Sequence, residues 1–292
     1  MVTAEDRLSR GKVIVNLALT GMIPTKDMTS HVPVTPQEIA KDALDCRQYG
    51  VSVVHLHARG DNGEPTWHKD TYAEIISRIR EHDKQLVLTV STSGRNWPEF
   101  EKRSQCLELE GDLKPDMASL TLSSLNFNKE ASLNSPEMIQ ALAGKMKENG
   151  IKPELEAFDI GMINYAKYLW RKGFIEPPFY MNLILGNIAC AQANILNLGL
   201  MLNELRDLDD VYWSVGGVGD CQLRMNVEAM LNGGGVRVGI EDNIFYDKGR
   251  TSLAGNVELA RRIYDIADHL GCEIASPVEV REMLGLAMPA VT

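Results

Sequence analysis

The chain has 292 residues, of which 44% are hydrophobic and 24% are charged, and its formal net charge is -10 at pH 7. A chain of this length can bury one large core, and α/β barrels of this size commonly form one domain. The acidic balance and the lack of clustered Lys or Arg exclude a typical nucleic-acid-binding protein, which presents a basic surface to phosphates. We therefore expect a soluble globular protein with a single domain over residues 1–292.

The cysteines are far apart in the sequence and form no C-x-x-C pair, so neither a disulfide framework nor a zinc ribbon is expected. They are Cys46, Cys106, Cys190, Cys221 and Cys272. The N-terminal stretch MVTAEDRLSRGKVIVNLAL contains no apolar segment of signal-peptide form before the first strand-like run. No window approaches the uninterrupted apolar length of a membrane helix. These features predict a cytoplasmic protein without a membrane partner.

Short apolar or β-branched runs recur along the chain and are typical of buried strands. In chain order they are 13–19 (VIVNLAL), 51–58 (VSVVHLHA), 86–93 (LVLTVSTS), 117–122 (MASLTL), 154–158 (ELEAF), 179–185 (FYMNLIL), 211–215 (VYWSV) and 236–240 (VRVGI). Segments with helical period lie between most of them. The first has Thr35 as its N-cap, Pro36 at the first helical position and Gly50 just past its end.

Alternation of strand and helix eight times predicts a (β/α)8 barrel. The weakest unit is the link at 94–115, where Pro98 and mixed charges leave only a short helical stretch. Segments 255–271 and 276–286 predict two closing helices. A doubly wound open sheet remains the alternative, because periodicity does not distinguish a closed parallel sheet from an open one.

The first chemical feature is the pair His55 and His57 at the end of the second strand. Residues i and i+2 of a strand share a face, so the two imidazoles point the same way. In a barrel this end of the strand lines the active-site face. Taken alone, the pair fits packed, hydrogen-bonded histidines as well as it fits metal ligands.

The second feature is the acid pair Glu241 and Asp242, which follows the last strand. Neighbouring residues at a strand end diverge, so one acid can complete a His2Glu metal site while the other faces the substrate as a base. Arg237, four residues before Glu241, can orient an acid through a bidentate contact. Together with the histidines, the pair favours a metal site over a solvated turn.

Other strand ends supply further polar groups. Ser91, Ser119 and Thr121 are hydroxyls placed to hold a carboxylate, although capping and turn formation are the commoner roles of such residues. Glu154 and Glu156 share one face of the fifth strand, where buried carboxylates need a partner such as Arg237 or a metal. The glycine-rich segment 214–220 lacks the G-x-G-x-x-G spacing, so NAD binding is not expected.

With these residues the chain resembles the β-keto acid cleavage enzyme family over nearly its whole length. The shared motifs are TG at 20–21, P-x-T-P-x-E at 33–38, V-H-L-H-x-R at 54–59, ST-x-G at 91–94, KP-x-MA-x-L at 114–120, PE-x-E at 153–156 and G-x-EDNIFY-x-KG at 239–249. The resemblance implies a (β/α)8 barrel, usually assembled as a homotetramer. It also implies a bound Zn2+ ion, with a β-keto acid and acetyl-CoA as the small-molecule partners.

The resemblance also implies roles for individual residues. His55, His57 and Glu241 would hold the zinc, and Asp242 would be the base, supported by Arg237 and Glu156. Ser91, Gly94 and Ser119 occupy positions that hold the keto acid's carboxylate and neighbouring atoms, with Ser119 in place of a threonine. The implied reaction is a Claisen-type exchange in which a β-keto acid and acetyl-CoA give acetoacetate and a new acyl-CoA.

One departure from the family pattern concerns the substrate. Family members that act on the amino substrate have a glutamate two residues after TG, whereas this chain has Ile23. A buried ammonium without an acid partner is unfavourable. We therefore expect a keto acid with an uncharged, apolar tail rather than 5-amino-3-ketohexanoate. A trimethylammonium tail, which would need an aromatic face such as Trp97 or Phe127, is less favoured.

Three alternatives compete with this interpretation. A metal-dependent barrel hydrolase needs further histidines on later strands, and strands five to eight contain none. A Claisen lyase of the hydroxymethylglutaryl-CoA type has its H-x-H late and its acid early, the reverse of the order here. A non-catalytic metal-binding protein on this scaffold would not require Glu156, Arg237 and Asp242. The sequence does not distinguish zinc from other divalent metals.

Overall fold

Eight parallel strands close into a barrel in the computed structural model, which describes residues 11–289. In chain order the strands are β1 Val15–Ala18, β2 Val53–Leu56, β3 Val87–Val90, β4 Met117–Thr121, β5 Leu125–Asn126, β6 Ala131–Ser132, β7 Lys152–Ala157, β8 Phe179–Leu185, β9 Val211–Gly217 and β10 Gly235–Val238. The short β5 and β6 form a separate antiparallel hairpin, and the other eight strands make the barrel. Pairing of β1 with β10 closes it, which confirms the predicted barrel and excludes the open sheet.

Helices pack around the barrel, and the last of them closes one of its ends. They are α1 Pro36–Arg47, α2 Lys69–Arg80, α3 Phe100–Ser104, α4 Pro136–Glu148, α5 Ile160–Arg171, α6 Ile195–Leu205, α7 Gln222–Leu231, α8 Asn256–Leu270 and α9 Pro277–Leu284. Helix α1 begins as predicted, because the Thr35 side chain accepts a hydrogen bond from the Glu38 amide and Glu38 caps in return. Helices α8 and α9 are the two closing helices.

The predicted weak link after β3 contains only one turn and a half of α-helix. Helix α3 has five residues and is followed by two short 3-10 turns, Gln105–Glu108 and Gly111–Leu113. Residues 1–10, on which the signal-peptide expectation partly depends, lie outside the described range, as do residues 290–292 at the end of the predicted domain. No helix of the described part is long and apolar enough to cross a membrane.

Helix α9 closes one end of the barrel. Its Val280 and Leu284 pack with Ala275 against inward-facing residues from the amino ends of the strands. Those strand residues are Ile14, Val53, Val87, Met117 and Tyr180. Because this end is filled by apolar side chains, ligands can enter only from the opposite end, where the strands run into their loops.

A buried arginine attaches α9 to the barrel. Arg281 is 2% exposed and donates to both carboxylate oxygens of Asp116, at 2.8 and 3.0 Å. Its Nε also donates to the carbonyl oxygen of Gln85 at 2.7 Å. This bidentate contact fixes the closing helix below the strands.

We expect Arg281→Met to lower the free energy of unfolding by about 3 kcal/mol, because it leaves the buried Asp116 carboxylate without its main partner. Urea unfolding measures the change. Arg261→Met is the control, since Arg261 is two-thirds exposed and its pair with Asp265 spans 3.7 Å, and it should change stability by less than about 0.5 kcal/mol. Equal effects of the two variants would contradict this account of α9.

Candidate active site

The three predicted metal ligands come together at the open end of the barrel. The Nε2 atoms of His55 and His57 are 3.2 Å apart, and His57 Nε2 is 3.4 Å from Glu241 Oε1. His55 lies in strand β2, His57 follows that strand and Glu241 follows β10, and their ligand atoms all lie within 4.8 Å of one another. Two imidazole nitrogens and one carboxylate oxygen form the donor set of a site that keeps a further position open for water or substrate.

A second observation indicates that a cation belongs at this position. Glu241 Oε2 is buried and has no hydrogen-bond partner, although a buried carboxylate oxygen normally finds one. Around it, Glu154, Glu156 and Asp242 add three more carboxylates, whereas Arg237 is the one guanidinium that contacts this group within residues 11–289. The excess negative charge and the unpaired oxygen both fit a divalent metal ion.

Glu154 orients the first ligand from inside the barrel. Its Oε2 is 2.6 Å from His55 Nδ1, and its Oε1 accepts hydrogen bonds from Asn16 Nδ2 at 2.6 Å and Asn182 Nδ2 at 2.8 Å. With Nδ1 bound to a carboxylate, the Nε2 of His55 faces His57 and Glu241. This is the usual carboxylate–histidine arrangement behind a metal ligand.

The charge of Glu154 also affects the protonation of His55. Burial alone would lower the pKa of His55, but Glu154 and Glu241 raise that pKa to about 9. His55 therefore carries a proton at neutral pH when no metal is bound. Because a metal must displace that proton, we expect metal affinity to increase as the pH rises toward 9.

His55, Glu154 and Glu156 also lie close enough together to be a second candidate ligand group. Both glutamates already have partners, however, because Asn16 and Asn182 donate to Glu154 and Thr121 Oγ1 donates to Glu156 Oε2 at 2.8 Å. The first group, with its unpaired Glu241 oxygen, is the better metal site.

The two acids after β10 lie in a turn instead of on a strand. The strand ends at Val238, and Gly239 has a φ of 148°, where a side chain would collide with the Ala18 carbonyl. Glu241 and Asp242 therefore converge on one side of the chain, and the expectation that they diverge was wrong. The reason is the turn, which removes the alternation that a continuing strand would impose.

Gly21 explains the TG motif. It has a φ of 63°, and a Cβ on it would lie 2.5 Å from Glu241 Cγ. The loop after β1 can therefore cover Glu241 only because residue 21 has no side chain. In the same loop, the Gly21 and Pro24 carbonyls accept hydrogen bonds from Arg59, at 2.7 and 2.9 Å, which fixes the loop over the site.

Arg237 connects the acids of the site. Its NH2 donates to Glu241 Oε1 at 2.8 Å, its Nε donates to Asp242 Oδ2 at 2.9 Å, and its NH1 lies 3.4 Å from Glu156 Oε1. Three separate single contacts replace the predicted bidentate contact with one acid. Gly216 of β9 leaves space for the Arg237 side chain, whose carbons would lie 3.3–3.4 Å from a Cβ at that position.

The neighbouring acids differ in pKa. Burial raises the pKa of Asp242 and of Glu156 above their usual values, although Arg237 partly opposes both shifts. Burial would also raise the pKa of Glu241, but His57, Arg237 and His55 together hold it well below its usual value. Glu241 thus remains an anionic ligand, and Asp242 becomes a stronger base than an ordinary aspartate.

A cavity of about 670 Å³ opens above these residues. Of the sequence-predicted site residues, those that line it are Ile23, His55, His57, Ser91, Thr121, Glu156, Arg237, Glu241 and Asp242. The predicted residues Gly94 and Ser119 are not among those lining residues. The Ser119 hydroxyl accepts a hydrogen bond from the Thr92 amide at 3.1 Å, and a Cβ on Gly94 would lie 2.8 Å from the Leu133 carbonyl. Gly94 lies in the loop that carries Ser91, and Ser119 contacts that loop through Thr92.

Sequence reasoning missed Asn16, Asn182 and the ion-pairing role of Glu154. A signal was present, because Asn16 and Asn182 are single amides within otherwise apolar strands, and a buried amide needs a partner. It also missed Arg95, which lies in the weakest predicted unit, at 94–115. The partners of these groups are distant in the sequence, and the closed barrel brings them together.

Comparisons with known proteins show the family to which the chain belongs. The model of the beta-keto acid cleavage enzyme family matches residues 12–286. The 3-keto-5-aminohexanoate cleavage enzyme of Fusobacterium nucleatum subsp. nucleatum is 37% identical over 276 residues, which cover 94% of this chain and 98% of that protein. The 3-oxoadipate:acetyl-CoA acetyltransferase of Cupriavidus necator is 32% identical over 274 residues, which cover 94% of each chain. The resemblance identified from the motifs is confirmed.

A solved structure shares the fold. The binary complex of ObcA with oxaloacetate has a TM-score of 0.79 and 20% sequence identity, and the match covers 88% of this chain and 68% of that chain. At this identity the likeness supports the barrel fold alone.

We expect Glu154→Gln to weaken zinc binding about 10- to 100-fold, because it removes the charge that orients His55. Competition with a chelating dye measures the affinity. Glu156→Gln is the matched control, since Glu156 is buried in the same strand but contacts Thr121 and Arg237 instead of a histidine. A comparable loss from Glu156→Gln would instead support the second ligand group, to which both glutamates belong.

Proposed function

Because the chain belongs to the beta-keto acid cleavage enzyme family, we propose that it is a CoA-dependent acyltransferase that exchanges acyl groups between a β-keto acid and acetyl-CoA. The products are acetoacetate and a new acyl-CoA. The observation that carries this proposal is the placement of Asp242, a base with a raised pKa, beside a His2Glu ligand set in one cavity. The relatives named as cleavage and acetyl-CoA transferase enzymes support the reaction class.

The proposed metal is zinc, held by His55, His57 and Glu241. Two imidazoles and a carboxylate suit zinc, and the charge excess around Glu241 favours a divalent ion. When bound there, the ion supplies Lewis acidity toward the ketone and carboxylate oxygens of the substrate.

The protein's own residues perform the proton transfers. Asp242 takes a proton from C2, the carbon between the ketone and the carboxylate, and the resulting carbanion attacks the acetyl carbonyl of acetyl-CoA. The released CoA thiolate then adds to the former ketone carbon. Cleavage of the original C2–C3 bond yields the new acyl-CoA, and Asp242 returns its proton to C2 of acetoacetate. Arg237 keeps Asp242 in place through its Nε contact at 2.9 Å.

Residues around the cavity support the choice of substrate. We propose that Ser91 and Thr121 contact the substrate directly, whereas Gly94 and Ser119 act by shaping the loop that carries Ser91. Ile23 lines the cavity together with Met22 and Met28, so this wall offers an ammonium group no acid. The substrate we propose therefore lacks the 5-amino group.

An apolar surface supports a homotetramer. Ile188 and, on α6, Ile195, Leu196 and Leu200 are between about half and 70% exposed. Leu196 and Leu200 are four residues apart and share one helix face. We propose that a second copy of the chain covers this surface. A cytoplasmic location also remains a proposal, which is supported by the five free cysteines.

The reaction is tested by following acetoacetate formation from acetyl-CoA and a panel of β-keto acids with the zinc-loaded enzyme. We expect turnover by the wild type, and a loss of kcat of about 100-fold or more in Asp242→Asn, because amides are poor bases. Because a base must be deprotonated, kcat/KM should fall as the pH drops through the raised pKa of Asp242. His55→Ala should lose zinc, whereas Asp242→Asn should keep it. Full activity of Asp242→Asn would show that another group is the base.

The assembly is tested by measuring the mass in solution by light scattering. We expect four copies of the 32.4 kDa chain, and a lower mass for Leu196→Lys because a charge would be buried at the contact. Leu231→Lys is the control, since Leu231 is 61% exposed on a different helix. If the Leu196→Lys variant remains a tetramer, this surface is not the interface between subunits.

A further inference from the structure

Arg95 is a cation of the cavity that the proposed chemistry does not use. Its side chain is only 12% exposed, and it lines the same cavity as the metal ligands and Asp242. Burial lowers the pKa of Arg95, and Glu130, Glu241 and Asp242 oppose that shift, so the guanidinium lies within electrostatic reach of the site. Burial of a guanidinium is unfavourable unless an anion accompanies it.

The guanidinium lies over an aromatic ring. Arg95 Cζ lies 3.6 Å from the centroid of Phe127, which is itself packed edge-on against Phe158 at 6.1 Å. The N–H groups of a guanidinium stacked on a ring point outward in the guanidinium plane. There, two of them match the two oxygens of a carboxylate. The contact also covers a face of Phe127, which argues against a trimethylammonium group bound there.

The protein itself provides Arg95 with only a weak partner. In the described part of the chain its one carboxylate contact is Glu130 Oε1 at 3.4 Å, longer than a strong charge-assisted hydrogen bond. Glu130 is 43% exposed, so water weakens the pair further. The deeper acids Glu156, Glu241 and Asp242 contact Arg237. Arg95 therefore retains the capacity to bind a ligand anion.

Met22, Ile23 and Met28 supply apolar side chains to the lining of the same cavity. A substrate tail with methylene groups against these residues and a charged end at Arg95 satisfies both parts of the lining. The sequence-based expectation of an uncharged tail depended on Ile23 alone. Arg95 adds a cation to the cavity lining, and this cation favours a charged group at the end of the substrate tail.

We infer that Arg95 binds a second carboxylate at the far end of the keto acid, so that the preferred substrate is a β-keto dicarboxylate. This inference rests on the proposed function, because it assigns the substrate class of the same site. Arg95 is thereby a specificity-determining residue, and the acetyl-CoA half of the reaction does not depend on it.

Two acids of equal length, 3-oxoadipate and 3-oxohexanoate, test the inference, since they differ only in a terminal carboxylate or methyl group. With saturating acetyl-CoA and zinc-loaded enzyme, kcat/KM should favour 3-oxoadipate by about 10- to 100-fold, the effect of a hydrogen-bonded charge pair. Arg95→Met should remove that preference and leave the rate with 3-oxohexanoate within about threefold. Arg95→Lys should restore part of it, because lysine keeps the charge but not the fork.

Lys129→Met is the matched control, since Lys129 is a second cation of the cavity lining but is exposed. It should leave the preference intact. The inference is overturned if Arg95→Met lowers both rates equally, if it raises only the KM for acetyl-CoA, or if the wild type prefers 3-oxohexanoate.

Calorimetric titration separates this inference from the proposed function. Without acetyl-CoA no exchange takes place, and 3-oxoadipate should bind to wild-type enzyme about 10- to 100-fold more tightly than to Arg95→Met. If neither acid is turned over but this difference appears, the proposed reaction fails and the carboxylate site stands. If both acids are turned over and the difference is absent, the reaction stands and the carboxylate site fails.

Discussion

The site depends on one buried guanidinium. Arg237 is 2% exposed and contacts Glu156, Glu241 and Asp242, three carboxylates that would repel one another without it. Coulomb repulsion between acids this close would otherwise protonate at least one of them or open the turn after β10. By contacting all three, Arg237 lets the anionic Glu241 and the base Asp242 lie next to each other, while burial keeps the pKa of Asp242 above its usual value.

The interior of the barrel supports this arrangement at two levels. At its base, α9 and the strand ends form an apolar layer that excludes water. Above that layer, Asn16 and Asn182 donate to Glu154, which in turn orients His55. Polar groups at this depth are tolerated because they bind one another, and the result is a histidine whose orientation is fixed before any metal arrives. At the open end, loop residues such as Ile23 and Arg95 line the cavity, so substitutions that change substrate preference there need not alter the barrel.

Two glycines show how close the elements of this site approach. Gly21 allows the first loop to lie on Glu241, and Gly216 allows the Arg237 side chain to lie across β9. At Gly21, Glu241 fills the space that a Cβ would need, whereas a Cβ on Gly216 would make a tight contact of 3.3–3.4 Å with the Arg237 side chain. The loop that Gly21 begins also carries Ile23, so one loop both covers Glu241 and lines the cavity. Arg59 holds that loop to the end of β2.

The sequence by itself determined the order of strands and helices, the shared face of His55 and His57, and the presence of acids at 241 and 242, because each is a property of neighbouring residues. Periodicity, capping and spacing act over a few positions, so they are readable without coordinates. Only the tertiary structure decided that Glu154 contacts and orients His55, which lies 99 residues away. It also decided that both acids after β10 contact Arg237. It further decided that Arg95 lines the cavity, whereas Gly94 and Ser119 are not among its lining residues. These pairings follow from closure of the barrel, which brings distant strand ends to one rim. Because a buried charge is unfavourable without a partner, these charges contact one another or a polar group from another strand.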